Sequence, residues 1–277
     1  MKAPSPHGAI VDRARITKWM QQFRFYRAPP GQAEIQAWLD RFKPADRDVA
    51  ARILDCVEVI SEASIQQGYK QALDSIDGWQ RRADRREGKW VFTGFGGPSE
   101  SGLAMLRVFR EANNLTLQSF DGLFCNITDI PKKQLSAADT VVLVDDFSGT
   151  GRQIVNRWPT LTELIACDAR CFLILTAATI DAIQNIEQVT TLQVLVQNRI
   201  QRNENIFSTA CSRFSVADRN KLLPYCERAD KKNPKGFGEC GLLYVLSHKT
   251  PNNSIPVLHA NHSRWVGLFP RNLQPAD

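Results

Sequence analysis

Residues 141–153 read VVLVDDFSGTGRQ, an apolar run followed by two acids and a glycine-rich turn. The apolar run predicts a strand that is buried on both faces, as in a parallel sheet covered by helices. Asp145 and Asp146 follow this strand directly, and the turn after them leads into a helix predicted over roughly residues 152–165. Ligands of parallel α/β sheets bind beyond the carboxyl ends of the strands, so the two acids mark the expected site.

The rest of the chain continues this alternation of strands and helices. Further short apolar runs, separated by helical stretches, occur at residues 90–93, 172–176, 192–196 and 242–246. Strands that alternate with helices predict an α/β fold with a mainly parallel sheet flanked by helices.

An N-terminal helical region is expected before this sheet. Ile53, Leu54, Val57 and Ile60 recur at helical spacing, and Asp46 offers an N-cap ahead of them. The stretch 81–89 mixes basic and acidic residues, which favours an exposed linker over the alternative of a nucleic-acid-binding patch. We therefore expect a helical region over residues 1–80 and the α/β domain over residues 81–277.

Composition and charge restrict the class of protein. A net charge of +6 favours polyanionic ligands or nucleic acid, although a basic surface that only keeps the protein soluble fits equally well. The seven cysteines are scattered, which predicts reduced thiols rather than a disulfide framework or zinc knuckles. No apolar run reaches the roughly 18 residues needed to cross a bilayer, and the first residues lack a secretory signal. We expect a cytoplasmic protein without membrane contact.

The turn after the two acids is suited to binding a phosphate. Gly149 and Gly151 flank Thr150 and allow a tight turn, so several amide N–H groups can converge with the N-terminus of the next helix on one anion. Thr150 adds a hydroxyl donor, and the carboxylates of Asp145 and Asp146 would meet the hydroxyls of a sugar.

A nucleoside triphosphatase is the main alternative, because an acidic pair also follows an apolar strand in those enzymes. Their phosphate loop requires the pattern Gly-x-x-x-x-Gly-Lys-Ser/Thr upstream. Here Gly88-Lys89 is followed by Trp90, which disfavours that alternative.

On these residues the chain resembles the type I phosphoribosyltransferases, whose fingerprint is an apolar strand, two acidic residues, a short Thr/Gly loop and a helix. The resemblance implies that Asp145 and Asp146 hold the ribose 2′- and 3′-hydroxyls, directly or through a Mg²⁺ ion that they bind, and that both are catalytic. It implies a 5′-phosphate loop made of Ser148, Gly149, Thr150, Gly151, Arg152 and Gln153. Gln153 stands where the family usually has Thr or Ser, so the loop departs from the family at that position.

A second glycine-rich turn lies between the apolar run at 90–93 and a helical stretch. By the same resemblance it is the pyrophosphate loop, formed by Gly96, Gly97, Pro98, Ser99, Ser101 and Gly102. Glu100 lies within this turn, and a carboxylate that faced pyrophosphate would repel it. Either Glu100 points away or the ligand is a different one.

Two elements near the C-terminus narrow the resemblance. The sequences GFGECG at 236–241 and TPNN at 250–253, with the helical N-terminal region, resemble the phosphoribosyltransferase-like proteins of bacterial conflict systems, notably effectors encoded beside retron reverse transcriptases. This implies a toxic effector of antiphage defence that works in an oligomer or complex, with a reverse transcriptase, its retron DNA and a helix-turn-helix protein as partners. His248 is a candidate general base or phosphate donor, although a structural role is the more common one.

Three functions remain open at this point. The first is an effector that acts on phosphoribosyl pyrophosphate or a nucleotide, as a phosphoribosyltransferase or as a hydrolase of the glycosidic bond. The second is a catalytically inactive phosphoribosyl-binding module with a regulatory or scaffolding role, which Gln153 and Glu100 favour. The third is base salvage, which requires a base-recognition element that residues 115–138 do not clearly provide.

Overall fold

The computed structural model describes residues 11–96, 101–165 and 168–272. The helices are α1 (Arg13–Phe23), α2 (Gln32–Leu39), α3 (Arg47–Cys56), α4 (Glu62–Asp74), α5 (Gly102–Ala112), α6 (Arg152–Ile165), α7 (Ile180–Val189), α8 (Val216–Ala229) and α9 (Pro256–His259). The strands are β1 (Glu58–Ile60), β2 (Trp90–Gly94), β3 (Thr140–Ser148), β4 (Arg170–Thr179), β5 (Gln193–Ile200), β6 (Tyr244–Leu246), β7 (Asn261–His262) and β8 (Trp265–Val266). Within the described ranges, no helix has the length and apolar character required to span a membrane.

The chain divides into two compact units. The first combines residues 1–62 with residues 202–277, and the second comprises residues 63–201. The predicted helical region 1–80 contributes to both, because α1 to α3 lie in the first unit and nearly all of α4 lies in the second.

The second unit is built on a four-stranded parallel sheet with the order β2-β3-β4-β5. Every one of these strands begins within three residues of an apolar run identified in the sequence. The predicted α/β fold class, a mainly parallel sheet flanked by helices, is therefore confirmed.

Each face of this sheet is covered by helices. On one face, Phe92 of β2 stacks near Phe109 of α5, which in turn contacts Tyr69 of α4. On the other face, alternate residues of β3 such as Val141 and Leu143 pack against α6 and α7 in a fully buried core. Burial on both faces explains why β2, β3 and β4 contain continuous apolar runs, whereas the edge strand β5 is partly exposed.

The first unit has a helical core and a two-stranded parallel sheet formed by β1 and β6. The expectation that the helix before residue 60 continues through Ile60 is wrong, because α3 ends at Cys56 and Ile60 lies in β1. Val57, Val59 and Ile60 are β-branched, and such residues favour strands when a partner strand is available. The apolar run at 242–246 supplies that partner, β6, rather than a strand of the four-stranded sheet.

Candidate active site

The acidic pair lies at the carboxyl end of β3, as the sequence predicts. Asp145 and Asp146 are only 6% and 8% exposed. The strand continues past them to Ser148, and Asp145 lies opposite Leu175 in β4. Both carboxylates are therefore held by a buried central strand, which is a rigid support for a binding site.

Ser101 joins the two carboxylates. Its Oγ lies 2.7 Å from Asp145 Oδ1 and 2.8 Å from Asp146 Oδ1. A hydroxyl carries one proton and can donate to only one acceptor at a time. The second contact is satisfied when one carboxyl group is protonated and donates to the Ser101 oxygen, so the geometry suits a pair that shares a proton.

The electrostatics of the pair agree with that geometry. Burial raises the pKa of Asp145 well above its ordinary value, and the charge of Asp146 raises it further. Hydrogen bonds from Ser101 and from the Asp146 amide, the latter 2.9 Å long, act in the opposite direction. Two buried carboxylates side by side bind a proton or a cation to relieve their repulsion, and such perturbed groups concentrate at functional sites.

Tyr69 supports the backbone beneath the pair. Its hydroxyl donates to the carbonyl oxygen of Asp145 over 2.9 Å, and the whole residue is 1% exposed. Burial raises the pKa of Tyr69 well above its ordinary value, and the nearby acids raise it further, so the phenol stays protonated and remains a donor. No sequence signal marks this residue, because a tyrosine on the buried side of a helix usually fills core space.

Ser101 reaches the acids because the end of β2 and the start of α5 are closely packed. A Cβ atom added to Gly94 would lie 2.5 Å from the carbonyl carbon of Gly102, and one added to Gly102 would lie 1.9 Å from the carbonyl oxygen of Phe95. Only glycine fits at these two positions. The Phe95 amide donates to the Val144 carbonyl over 2.8 Å, which ties the first residue after β2 to β3.

The predicted pyrophosphate loop is therefore described in part. Gly96 has a φ of +113°, a conformation that favours glycine, and Gly102 begins α5. Gly97, Pro98, Ser99 and Glu100 lie outside the described residues. The assignment of this turn to pyrophosphate remains a prediction, and the structure adds that Ser101 is bonded to the acidic pair.

Two side chains from β4 and α7 fix the predicted phosphate loop. Thr179 Oγ1 donates to the carbonyl oxygen of Gly149 over 2.8 Å, and Asn185 Nδ2 donates to that of Thr150 over 3.0 Å. In a trans peptide unit the N–H points away from the C=O. The amides of Thr150 and Gly151 are consequently directed away from α7. On that side of the loop they can face an anion.

The end of this loop is equally constrained. Gly151 has a φ of +71°, and a Cβ atom there would lie 2.9 Å from the carbonyl oxygen of Ala182. Helix α6 begins at Arg152, so its N-terminus follows the directed amides immediately. Ser148 is buried, whereas Arg152 and Gln153 are exposed in the first turn of α6. Thr179 and Asn185 escaped sequence reasoning, although Thr179 also caps α7 by accepting from the Ala182 amide, which is a recognisable signal.

The acidic pair fits a magnesium ion in part. Carboxylate oxygens are the ligands that Mg²⁺ prefers, and the ion usually keeps several waters or substrate oxygens as well. Among the described residues, no group of three or more His, Cys, Asp or Glu side chains could hold a metal. A Mg²⁺ ion held by Asp145 and Asp146 would thus need oxygen atoms from a ligand.

His248 lies in the turn after β6, in the first unit, and is half-buried. Its predicted role as a base or phosphate donor remains a prediction.

A family model with the description PRTase-CE matches residues 35–271, which is most of the chain. The match includes β3, the acidic pair and the turn that follows them, and it extends over most of both compact units. A comparison with curated proteins finds no match.

Proposed function

Because the chain belongs to the PRTase-CE family of phosphoribosyltransferase-like proteins, we propose that it binds a 5′-phosphorylated ribose and breaks or forms the bond at its C1′ atom. The ligand is phosphoribosyl pyrophosphate or a nucleotide. The observation that carries this proposal is the Asp145–Asp146 pair, buried at a strand end and followed directly by a loop whose amides are directed by Thr179 and Asn185.

The geometry suggests how this chain's residues contribute. The loop amides and the N-terminus of α6 hold the phosphate, while Asp145 and Asp146 accept hydrogen bonds from the ribose hydroxyls. Positive charge develops on the sugar ring as the leaving group departs from C1′, and carboxylates held beside the ring stabilise it. A Mg²⁺ ion bound to the acidic pair would supply a positive charge that orients the ribose and pyrophosphate oxygens.

We also propose that this activity is toxic and belongs to a retron-type antiphage system, in which partner proteins restrain it. The support is the resemblance carried by the segments 236–241 and 250–253. In the structure, Asn253 of the second segment donates to the carbonyl oxygen of Phe237 in the first over 2.9 Å, so the two form one connected element.

The test is an activity assay with a charge-matched control. The protein is incubated with Mg²⁺ and either phosphoribosyl pyrophosphate or individual nucleotides, and released pyrophosphate or free base is measured. Asp145→Asn with Asp146→Asn should reduce turnover at least about a hundredfold, because it removes the groups that hold the sugar in place. Asp74→Asn with Asp77→Asn removes the same charge from exposed positions of the same unit and should leave turnover unchanged.

The outcomes separate the alternatives. Ligand binding without turnover in the wild-type protein would contradict the enzyme and favour the inactive phosphoribosyl-binding module. Equal turnover in the wild type and the Asp145/Asp146 variant would refute the site itself. Toxicity on expression that the same variant abolishes would support the effector, whereas rescue of a purine or pyrimidine auxotroph would favour base salvage.

A further inference from the structure

A cavity lies at the opposite end of the four-stranded sheet from the acidic pair. Its volume is about 310 Å³, and its lining includes residues of the basic stretch 81–89 together with residues 90–91, 122–123 and 133. Trp90 is the first residue of β2 and lies opposite Thr140, five positions before Asp145 on β3. At about 3.3 Å per residue, the cavity is roughly 17 Å from the acidic pair along the strand.

Two lysines of this cavity are held in place by backbone carbonyls. Lys89 Nζ donates to the carbonyl oxygens of Gln134 over 2.9 Å and Lys133 over 3.3 Å. Lys133 Nζ donates to the carbonyl oxygen of Gly122 over 2.8 Å. An ammonium group has three N–H donors. These contacts therefore position each charge and leave each ammonium group with at least one N–H that can donate to a ligand.

Arg86 is the third cation of the cavity. Its Nε donates to the carbonyl oxygen of Gln80 over 2.8 Å, and one terminal nitrogen donates to that of Arg81 over 2.9 Å. Its guanidinium also lies 4.9 Å from the centre of the Trp79 ring. The side chain is thus fixed by neutral groups, which leave its charge uncompensated.

Two acids are close enough for the charges of Lys89 and Lys133 to lower their pKa values, Asp139 and Asp129 respectively, but neither forms an ion pair with these lysines. Asp139 accepts from the backbone amides of Lys89 over 2.6 Å and Ser136 over 2.7 Å. Glu87 has its side chain against Gly78. Within the parts of the chain that the structure describes, no carboxylate forms an ion pair with Arg86, Lys89 or Lys133.

We propose that this cavity is a second anion site, which binds a phosphate group carried either by a free nucleotide or by a nucleic-acid strand. Three fixed cations that form no ion pair among the described residues attract a polyanion and can form charge-assisted hydrogen bonds to it. Trp90 and Leu123 also line the cavity and are both buried, so one side of it is apolar. The site is distinct from the acidic pair and does not depend on the proposed function.

Neighbouring residues provide matched variants. Lys132 precedes Lys133 in the chain but pairs with Asp129 at 2.6 Å and is not part of the cavity lining, so Lys132→Gln removes the same charge outside the site. A Cβ atom built on Gly122 meets no heavy atom within 4 Å, so Gly122→Glu can add an opposing charge without a clash. Gly122→Gln controls for its size.

The experiment measures the binding of inorganic pyrophosphate and of a fluorescent twelve-nucleotide DNA strand. Each variant is compared with its matched control, so that binding at the phosphate loops of the proposed active site, which all variants share, does not affect the comparison. For at least one of the two probes, we expect Lys133→Gln and Gly122→Glu to weaken binding about tenfold or more, and Lys132→Gln and Gly122→Gln less than about threefold. Thermal unfolding of each variant shows whether it is folded.

If Lys133→Gln and Gly122→Glu weaken the binding of pyrophosphate, the ligand is a small free molecule. If they weaken only the binding of the DNA strand, the ligand is a nucleic acid. If Lys132→Gln weakens both probes as much as Lys133→Gln does, the attraction is general surface charge and the proposal is wrong. Failure of both probes to bind would overturn it as well. Should Lys133→Gln fail to fold, the comparison of Gly122→Glu with Gly122→Gln decides in its place.

Discussion

Both units bury an aspartate, and the surroundings of the two carboxylates differ. In the first unit, Asp218 caps the start of α8, accepting from the Ser215 amide over 2.8 Å and from two nitrogens of Arg52. Burial alone would raise the pKa of Asp218, but the bonds from Arg52 and Ser215 lower it to about 2. In the second unit, burial raises the pKa of Asp145, and the acid beside it, Asp146, raises that pKa further.

The difference separates a structural carboxylate from a functional one. Asp218 has a cation and a helix N-terminus, so its charge stabilises the folded chain. Asp145 and Asp146 repel one another, so their charges cost stability that a ligand or cation can restore on binding. Residues arranged against stability in this way are typical of sites under selection for function.

Replacing each carboxylate by an amide tests this comparison most strongly. Asp218→Asn should lower the free energy of unfolding by about 2 kcal/mol, because the pKa of Asp218 falls from 3.8 to about 2 on folding. The side chain of Arg52 is 38% exposed, so solvent screening keeps the loss from being larger. Asp145→Asn should leave that free energy unchanged or raise it, because it removes a repulsion. Urea denaturation at neutral pH measures both, and an equal loss in the two variants would contradict the comparison.

The pH dependence of stability should have opposite signs at the two carboxylates, with slopes of no more than about 1.4 kcal/mol per pH unit. The stabilisation by Asp218 is lost as the pH falls from 3.8 to about 2, because its folded pKa is lowered. Asp145 has a raised folded pKa, so its contribution is present below pH 3.8 and is lost as the pH rises above that value. Denaturation of the wild type and each Asp→Asn variant from pH 2 to 7 isolates the two slopes. A slope of the same sign for both would show that burial outweighs the bonds from Arg52 and Ser215 at Asp218, which would contradict the comparison.

The sequence predicts the central strand, its two acids and the turn that follows, because all of these are consecutive in the chain. Contacts between residues far apart in sequence are not predictable in this way. Ser101, Thr179 and Asn185 reach the site only because β2, β3 and β4 lie side by side with their carboxyl ends at one edge.

The basic stretch 81–89 is a second case in which contacts between distant residues are not predictable from the local sequence. Residues 81–89 have the mixed charge of a solvated linker, and the local pattern favours that interpretation over a nucleic-acid-binding patch. The carbonyls that hold Lys89 come from residues 133 and 134, more than forty positions later. Only folding reveals that the cations of this stretch share a cavity with Lys133.

The most direct test of the proposed site is the affinity for ribose 5-phosphate, measured by calorimetry with and without Mg²⁺. We expect the wild-type protein to bind, the variant carrying Asp145→Asn and Asp146→Asn to bind at least about a hundredfold more weakly, and the variant carrying Asp74→Asn and Asp77→Asn to match the wild type. Undiminished affinity in a folded Asp145/Asp146 variant, or no binding by the wild type, would contradict the account.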